Sequence, residues 1–501
     1  MNNRKKSLYI GAAGIVAGIV VGILCLYGSA VHHAWDSLRS FGIAVTGKIL
    51  PYPQTAPEIS GFRGGCRRIY DGLQEEFIHA GHLLFYSAPR RTAVSVVAKK
   101  AIRYTRYIRT YKLEGAIRQS NGVTGDMVEA GTLLYIPHSL PAVLPVMRNS
   151  KKPELVHSRG LYYTGSSIGN ERVLKQIDEF RKVGMNTVVF DVKDITGIVN
   201  YYSNVPDVQE YNAHGKRSID NIDSILRYLK SRNIYVIARI AVFHDHHMYR
   251  HNPSIAIRSK STGGTWNPRS KELWLDPTNR QAQDYSIGLA VEMADKGVDE
   301  IQFDYIRFPT VGNLGDADYA YHFGKMSNDN VITHFLKRAY REISSRNTRL
   351  SIDIFGVVAW GKEVDVRRTG QRIESLAQYC DVISPMLYPS HFSNNFNGFP
   401  NPGDHPYHFI FEGCKKVAGR AGSTAVRPWL QAFGWRVSSY DEQYILRQIK
   451  ASNDSGAKGY LFWNASNNYS TVLRAMTILA RNKNGRQWYA DNEMKKDNVP
   501  D

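Results

Sequence analysis

The stretch 300–309 contains the residues of this 501-residue chain that are best suited to chemistry. Apolar and polar residues alternate over its first half, which predicts a buried strand that ends in the carboxylate of Asp304. Tyr305 and Arg307 follow directly, and α/β barrels hold their catalytic groups at the carboxyl ends of their parallel strands. The plainer alternative is that Asp304 caps the next loop and pairs with Arg307.

Further polar and aromatic side chains stand near the ends of other predicted strands. They are Asp191, Arg239, Asp353, Tyr388, Trp435, Trp463 and Asn464. Because the carboxyl ends of parallel strands meet at one face of a barrel, we expect these groups to converge. Carboxylates and amides bind hydroxyl groups, and aromatic rings pack against the apolar C–H faces of sugars. The mixture therefore favours a carbohydrate ligand over a phosphate.

The elements that must position these residues alternate as strands and helices from about residue 159. Apolar patterns predict strands at 160–164, 187–192, 235–242, 300–308, 350–358, 381–388, 428–433 and 459–463. Helical patterns lie near 168–183, 219–232, 279–296, 328–345, 371–379, 405–420, 441–455 and 470–481. About eight such units predict an α/β fold of the (β/α)8 TIM-barrel type. A doubly wound open sheet is the alternative, but no Gly-x-Gly-x-x-Gly follows the first strand.

Five segments of this region occur together and in a fixed order. They are Phe190-Asp191-Val192-Lys193-Asp194, Trp274-Leu275-Asp276-Pro277, the stretch 300–309, Ser384-Pro385-Met386-Leu387-Tyr388-Pro389 and Phe462-Trp463-Asn464. Together they resemble a family of bacterial glycosyl-hydrolase-like TIM-barrel proteins, over about 160–480. The resemblance implies a retaining or inverting glycoside hydrolase that needs no cofactor and has an Asp at the end of its fourth strand.

The resemblance also implies roles for the carboxylates. A glycosidase needs two carboxyl groups, about 5–5.5 Å apart for retention and roughly 6.5–9.5 Å apart for inversion. We expect Asp304 to be the nucleophile or base. Related retaining barrels often carry a Glu on the fifth strand, where this chain has Asp353. Asp353 and Asp191 are therefore our other candidate catalytic residues, with these rivals for the general acid: Asp194, Glu363 and Asp365.

The remaining strand-end residues are expected to bind substrate. They are Arg239, Tyr305, Arg307, Tyr388, Trp435, Trp463 and Asn464. Arg239 has a second reading, because an arginine on a buried strand can neutralise a neighbouring carboxylate such as Asp191 or Asp304. Since no Glu stands in an obvious acid position, a non-catalytic glycan-binding barrel is the alternative function.

The amino-terminal residues predict a membrane anchor. Arg4, Lys5 and Lys6 precede an uncharged apolar run at 8–30, which is long enough to cross a hydrocarbon core of about 30 Å as a helix. The positive flank places the amino terminus in the cytoplasm and the bulk of the chain outside the inner (cytoplasmic) membrane. A cleaved signal, with small residues at 28–30, is the alternative.

A small basic α+β module is expected at 76–140, between linkers at 32–75 and 141–158. Its second half resembles the LysM module at five positions: Asn121, Gly131, Leu134, Ile136 and Pro137. The opening Gly-Asp-Thr-Leu of that module is absent. The resemblance implies contact with glycans that contain N-acetylglucosamine, such as peptidoglycan; the alternative is a packing unit with a solvated basic face. The anchor occupies 1–31, the barrel 159–482 and a polar tail 483–501.

Charge and cysteine content limit the partners. A net charge of +19 and a pI near 9.6 favour polyanions, but no nucleic-acid-binding motif occurs, so we expect no nucleic acid. The four cysteines show no metal-ligand spacing, and Cys380 and Cys414 are expected to be buried thiols rather than a disulfide. The sequence therefore predicts a membrane-anchored glycoside hydrolase with no metal or cofactor. Its expected substrate is an extracellular or cell-wall polysaccharide, such as peptidoglycan or another anionic glycan.

Overall fold

The computed structural model describes residues 68–71, 74–80, 83–140, 148–268, 272–319 and 326–481. They form two compact units: the first holds the described residues before Pro145 together with Asp220–Ser224, and the second holds the others. The predicted anchor at 8–30, Cys25, Cys66 and the tail from 483 onward lie outside the described residues. Within the described ranges no helix is long and apolar enough to cross a membrane.

The first unit is an α+β structure, as predicted. Its antiparallel sheet contains, in spatial order, the strands Arg68–Asp71, Gln74–Ala80, Leu83–Ser87 and Leu133–Ile136. Two helices, Val94–Ala101 and Thr110–Asn121, bury apolar faces against the sheet. The strands Arg68–Asp71 and Gln74–Ala80 pair with each other, so the sheet includes residues before position 76, where the module is expected to begin.

Asn121 joins the second helix of this unit to the closing strand. Its side-chain amide donates to the carbonyl groups of Ile117 and Tyr135, and its oxygen accepts from the backbone N–H of Tyr135, each at 2.8 Å. Gly122 then ends the helix in the left-handed conformation (φ 63°). The amide thus bonds two segments that are otherwise separated by a turn.

The second unit is a closed barrel of eight parallel strands, as predicted. The strands are Ser158–Tyr163, Thr187–Lys193, Tyr235–Ala241, Glu300–Asp304, Arg349–Phe355, Val382–Met386, Trp429–Gln431 and Gly459–Trp463. We number them in chain order as the first to the eighth barrel strand. Each pairs with the next, and the eighth pairs with the first through Leu461 opposite Gly160. This closure excludes the open-sheet alternative.

Helices follow the strands as the sequence predicts. They are Glu171–Lys182, Ile222–Lys230, Arg280–Asp295, Asn328–Ser344, Ile373–Leu376, Pro406–Ala421, Glu442–Asp454 and Ser470–Arg481. Three short helices in the loops were not predicted: Pro206–Glu210, His246–His251 and Glu363–Thr369. A helix of five to seven residues is too short to show a clear apolar period, which explains why the pattern missed them.

The fourth barrel strand ends at Asp304, four residues before its predicted end at 308. Tyr305 has a left-handed backbone (φ 54°), which a bulky side chain adopts rarely and which stops the strand. The backbone N–H groups of Val242 and Phe243 hold this turn by donating to the carbonyl groups of Asp304 and Tyr305, at 2.8 and 3.3 Å. The turn therefore fixes Asp304 at the carboxyl end of the strand.

The opposite end of the barrel interior is closed by a buried ion pair. Glu300 and Arg427 are both fully buried and bond to each other, and the hydroxyl of Tyr235 donates to Glu300 at 2.9 Å. This end therefore has its charges paired within the protein. Cys380 and Cys414, on the outer side of the barrel, are buried free thiols, which confirms the expectation for this pair.

Candidate active site

A cavity of about 370 Å³ lies at the carboxyl ends of the barrel strands. Its wall includes Arg239, Asp304, Tyr305, Asp353, Phe355, Tyr388, His391, Phe392, Trp429 and Trp463. A second cavity of about 500 Å³ is lined by Phe308, Tyr319, Arg367 and other residues, none of them acidic. Because only the first cavity brings carboxyl groups and aromatic rings together, it is the candidate active site.

Arg239 connects all three of the predicted catalytic residues. On the third barrel strand, it donates from Nη1 to Asp191 and from Nη2 to Asp304, each at 2.5 Å. Its Nε lies 3.7 Å from Oδ2 of Asp353. Burial opposes the charge on Arg239, but the surrounding carboxylates, first Asp191 and then Asp304, raise its pKa well above the ordinary value. The prediction that Arg239 neutralises Asp191 and Asp304 is confirmed.

Asp304 is a carboxylate held in a fixed orientation. Besides Arg239, it accepts a hydrogen bond from the backbone N–H of Tyr305 at 2.6 Å, which the left-handed turn makes possible. The structure does not support the alternative in which Asp304 pairs with Arg307, because the cation bonded to Asp304 is Arg239. Asp304 therefore presents an oriented carboxyl group at the cavity wall.

Asp353 is the second carboxyl group of the cavity wall, on the fifth barrel strand. Its Oδ1 accepts from the indole N–H of Trp429 at 2.8 Å, and its Oδ2 accepts no hydrogen bond from the described residues. Burial and the charge of Asp304 raise the pKa of Asp353 well above its usual value. The surroundings of Asp353 therefore favour its protonated form.

Asp191 supports Arg239 from inside the barrel. Its side chain is 1% exposed and accepts hydrogen bonds from Arg239 and from the hydroxyl of Tyr162, on the first barrel strand. Asp191 is absent from the described residues that line the cavity. Burial raises the pKa of Asp191 to about 6, against the opposing effects of Arg239 and Tyr162. The structure thus places Asp191 one contact away from the cavity wall.

Aromatic rings form the other side of the cavity. The ring centres of Tyr388 and Trp463, both predicted to bind substrate, are 5.8 Å apart. Trp435 stands further out, is 54% exposed, and lies 5.2 Å from the ring centre of His391. Sequence reasoning missed seven residues of the wall: Phe355, Gly356, Val357, Met386, His391, Phe392 and Trp429. His391 and Phe392 lie in a loop, where no apolar period could have singled them out.

Two predicted substrate-binding residues point elsewhere. Arg307 is buried and packs against the rings of Trp274 and Phe355, with its guanidinium carbon 4.6 and 4.1 Å from their centres. Asn464 donates to the carbonyl of Ala432 at 2.6 Å and accepts from the backbone of Ser466 at 2.9 Å. Neither residue lines the cavity among the described residues. Both instead hold the loops around it.

The histidine-rich loop after the third barrel strand begins with a buried histidine and ends with an exposed one, His251. His244 is buried, stacks on Trp274 with ring centres 5.0 Å apart, and burial lowers its pKa to about 3. Trp266 and Trp274 are both fully buried, so they support the loop. In the part of the chain that the structure describes, no cluster of three or more potential metal ligands occurs.

A (β/α)8 barrel whose carboxyl end holds two carboxyl groups beside aromatic rings, with the surroundings of one of them favouring its protonated form, is typical of TIM-barrel glycoside hydrolases. Comparison with known families agrees: a family model described as "Putative glycosyl hydrolase domain" matches residues 160–469. The match covers more than half of the chain, and the protein belongs to this family of glycoside hydrolases. The resemblance inferred from the sequence is thereby confirmed for the barrel.

Several solved structures are similar to parts of this chain. A hypothetical protein from Ruminiclostridium thermocellum has 35% identity over 38% of this chain and 96% of its own, with a TM-score of 0.35. The glycoside hydrolase domain of PgaB (BpsB) from Bordetella bronchiseptica has 15% identity over 64% and 96%, with a TM-score of 0.47. A chitinase from Chromobacterium violaceum has 12% identity over 64% and 98%, with a TM-score of 0.39. No curated protein sequence matches this chain significantly.

Proposed function

We propose that the protein cleaves glycosidic bonds of an extracellular or cell-wall polysaccharide, with Asp304 and Asp353 as its catalytic pair. The observation that carries the proposal is that the two carboxyl groups share one cavity wall, where the surroundings of Asp353 favour its protonated form. Glycosidic cleavage requires a proton donor beside a second carboxyl group, because one group must donate a proton while the other acts as the nucleophile or activates water.

In this mechanism Asp353 is the general acid and donates its proton to the oxygen of the leaving sugar. Asp304 is the nucleophile of a retaining reaction or the base of an inverting one. Asp353 becomes negatively charged as the bond breaks, and Arg239, whose Nε lies 3.7 Å from its Oδ2, is placed to stabilise that charge. Tyr388 and Trp463 offer aromatic faces to the sugar rings.

The proposed location is the outer side of the inner membrane, with the chain held by the apolar run at 8–30. The net charge of +19 supports an anionic polysaccharide, such as peptidoglycan, as the substrate. The LysM-like pattern of the first unit supports a glycan contact there. Its Asn121 and the closing strand that carries Leu134 and Ile136 are joined by direct hydrogen bonds.

The test measures reducing ends released by the detergent-purified full chain. The substrates are intact and peptide-stripped peptidoglycan, chitin, and α- and β-glucans. The variants Asp304→Asn and Asp353→Asn should each lose turnover and still retain the polymer. The matched control is Asp276→Asn, because Asp276 is also 1% exposed but bonds to the backbone of Thr278 at 2.8 Å, away from the cavity wall. A loss of turnover in Asp276→Asn would indicate general destabilisation of the barrel.

Two outcomes would contradict the proposal. Turnover that survives both Asp304→Asn and Asp353→Asn would remove these residues from the chemistry. Retention of a polymer without release of reducing ends from any substrate would favour the alternative function, a barrel that binds glycans and does not cleave them.

A further inference from the structure

Trp435, in the loop after the seventh barrel strand, is unusually exposed for a tryptophan. Its exposed fraction is 54%, whereas Trp266, Trp274 and Trp429 are at most 1% exposed. A large ring left in water forgoes the stabilisation that burial would supply. Trp435 lies beside the cavity, because its ring centre is 5.2 Å from that of His391, which lines the cavity.

The backbone that carries Trp435 is held firmly. The buried side chain of Gln431 donates to the carbonyl of Phe433 at 2.9 Å and accepts from the backbone N–H of Ser390 at 3.2 Å. Arg436 donates to the carbonyl of Ser390 at 3.0 Å. The loops after the sixth and seventh barrel strands are thus cross-linked on both sides of Trp435. A loop whose backbone is already fixed loses little conformational entropy when a ligand packs on its side chain.

Aromatic rings continue without a break from the cavity wall to Trp435. The ring centres of Trp463 and Tyr388 are 5.8 Å apart, and those of Tyr388 and Phe433 are 5.9 Å apart. From Phe433 to His391 the distance is 5.8 Å, and from His391 to Trp435 it is 5.2 Å. His391 also lines the cavity itself. The exposed ring is therefore the outer end of the surface that begins beside the catalytic pair.

We propose that Trp435 forms a distal subsite for a pyranose unit of a polysaccharide whose chain extends out of the cavity. The inference rests on the proposed function and adds that the substrate is a polymer. The apolar C–H face of a distal sugar would pack on the exposed face of the indole. A chain held both at the carboxyl groups and at Trp435 gains affinity from its length, which a short oligosaccharide cannot do.

The chain offers a closely matched control in Tyr202. This ring is 42% exposed, lies 4.9 Å from the ring of His214, and has the guanidinium of Arg217 at 5.7 Å. Trp435 has the corresponding neighbours, His391 and Arg436, each at 5.2 Å. Tyr202 does not line the cavity among the described residues. The two rings thus have similar exposure and the same types of neighbouring residue, and they differ in whether they lie beside the cavity.

The experiment compares the full-length wild type with the variants Trp435→Ala, Trp435→Phe and Tyr202→Ala. Retention is measured on insoluble peptidoglycan, chitin and β-glucan. Cleavage is measured on the polymer that is retained and on a two- to three-unit oligosaccharide of the same linkage. We expect Trp435→Ala to lower both retention and the ratio of polymer to oligosaccharide cleavage about tenfold. Trp435→Phe should recover much of this loss, and Tyr202→Ala should match the wild type.

Three results would overturn the subsite. They are wild-type retention by Trp435→Ala, an equal loss of cleavage on polymer and oligosaccharide, and failure of the wild type to retain any of the polymers. A changed oligomeric state of Trp435→Ala in light scattering, with unchanged retention, would assign the ring to contact between copies of the chain. Retention that depends on Trp435 without any cleavage would support the subsite while contradicting the proposed hydrolysis, so the two failures are distinguishable.

Discussion

Replacing Arg239 by methionine should destabilise the barrel, and the loss should be smaller at low pH. The side chain of Arg239 is 10% exposed, and it bonds to the carboxylates of Asp191 and Asp304, which are 1% and 8% exposed. Methionine is of similar length and can still pack near the ring of Tyr162, whose centre lies 5.5 Å from the guanidinium. The change therefore removes the charge and the hydrogen bonds with little loss of volume.

The expected loss is about 3–5 kcal/mol at pH 7, because removing one partner of a buried ion pair leaves the other charge uncompensated. The two charge-assisted hydrogen bonds, at about 1.5–3 kcal/mol each, give a similar range. Burial raises the pKa of Asp191 to about 6, while Arg239 lowers it, so the variant should have a higher value still. The folded variant then binds a proton at Asp191 more tightly than the unfolded variant does. The stability that the variant has lost relative to the wild type therefore becomes smaller as the pH falls.

The assay is guanidinium denaturation of the full chain at pH 7 and pH 5, followed by tryptophan fluorescence. Arg232→Met is the control, because Arg232 forms an ion pair with Asp178 at 2.7 Å whose side chains are 30% and 35% exposed. A pair this exposed should contribute less than about 1 kcal/mol. The reasoning would be refuted if Arg239→Met lowered the free energy of unfolding no more than Arg232→Met does, or if the decrease were the same at pH 7 and pH 5.

Single contacts elsewhere in the chain support three more predictions. Gly356→Ala should lower the melting temperature and the activity together, because an added Cβ would lie 2.4 Å from the carbonyl oxygen of Met386 at the cavity wall; an unchanged melting curve would contradict it. Asn121→Ala should destabilise the first unit by about 1–3 kcal/mol, measured by thermal unfolding, since buried backbone groups lose their partner. Burial raises the pKa of Asp191 from 3.8 to about 6, so the free energy of unfolding should decrease as the pH rises through that interval. Asp191→Asn should flatten this part of a pH–stability curve.

The architecture of the barrel could be read from the sequence, because each strand and helix leaves its own period of apolar residues. The second barrel strand, for example, begins at Thr187 as predicted, and the eighth is Gly459–Trp463 as predicted. The end of the fourth strand could not be read, because the left-handed backbone of Tyr305 depends on contacts with the third strand's loop. A tyrosine after Asp304 looks like the continuation of a strand.

The sequence predicted which residues form the candidate site better than it predicted the role of each residue. Asp304, Asp353 and Arg239 do lie at one cavity wall, as expected for residues near the ends of neighbouring parallel strands. Arg307 and Asn464 carry equally suitable functional groups, but they are used in packing and in hydrogen bonds to loops. Residue type and position are visible in a sequence, whereas the partner that a side chain finds is not.

The sequence by itself determined the order of the strands, the end of the barrel at which polar groups gather, and the presence there of several carboxylates and aromatic rings. Only the tertiary structure decided that the surroundings of Asp353 favour its protonated form, that Arg239 joins Asp191 to Asp304, and that Trp435 is exposed while Trp274 is buried. The physical reason is that burial and charge act through space. Arg239 is separated from its two partners by 48 and 65 positions along the chain, and these groups meet only when the barrel closes.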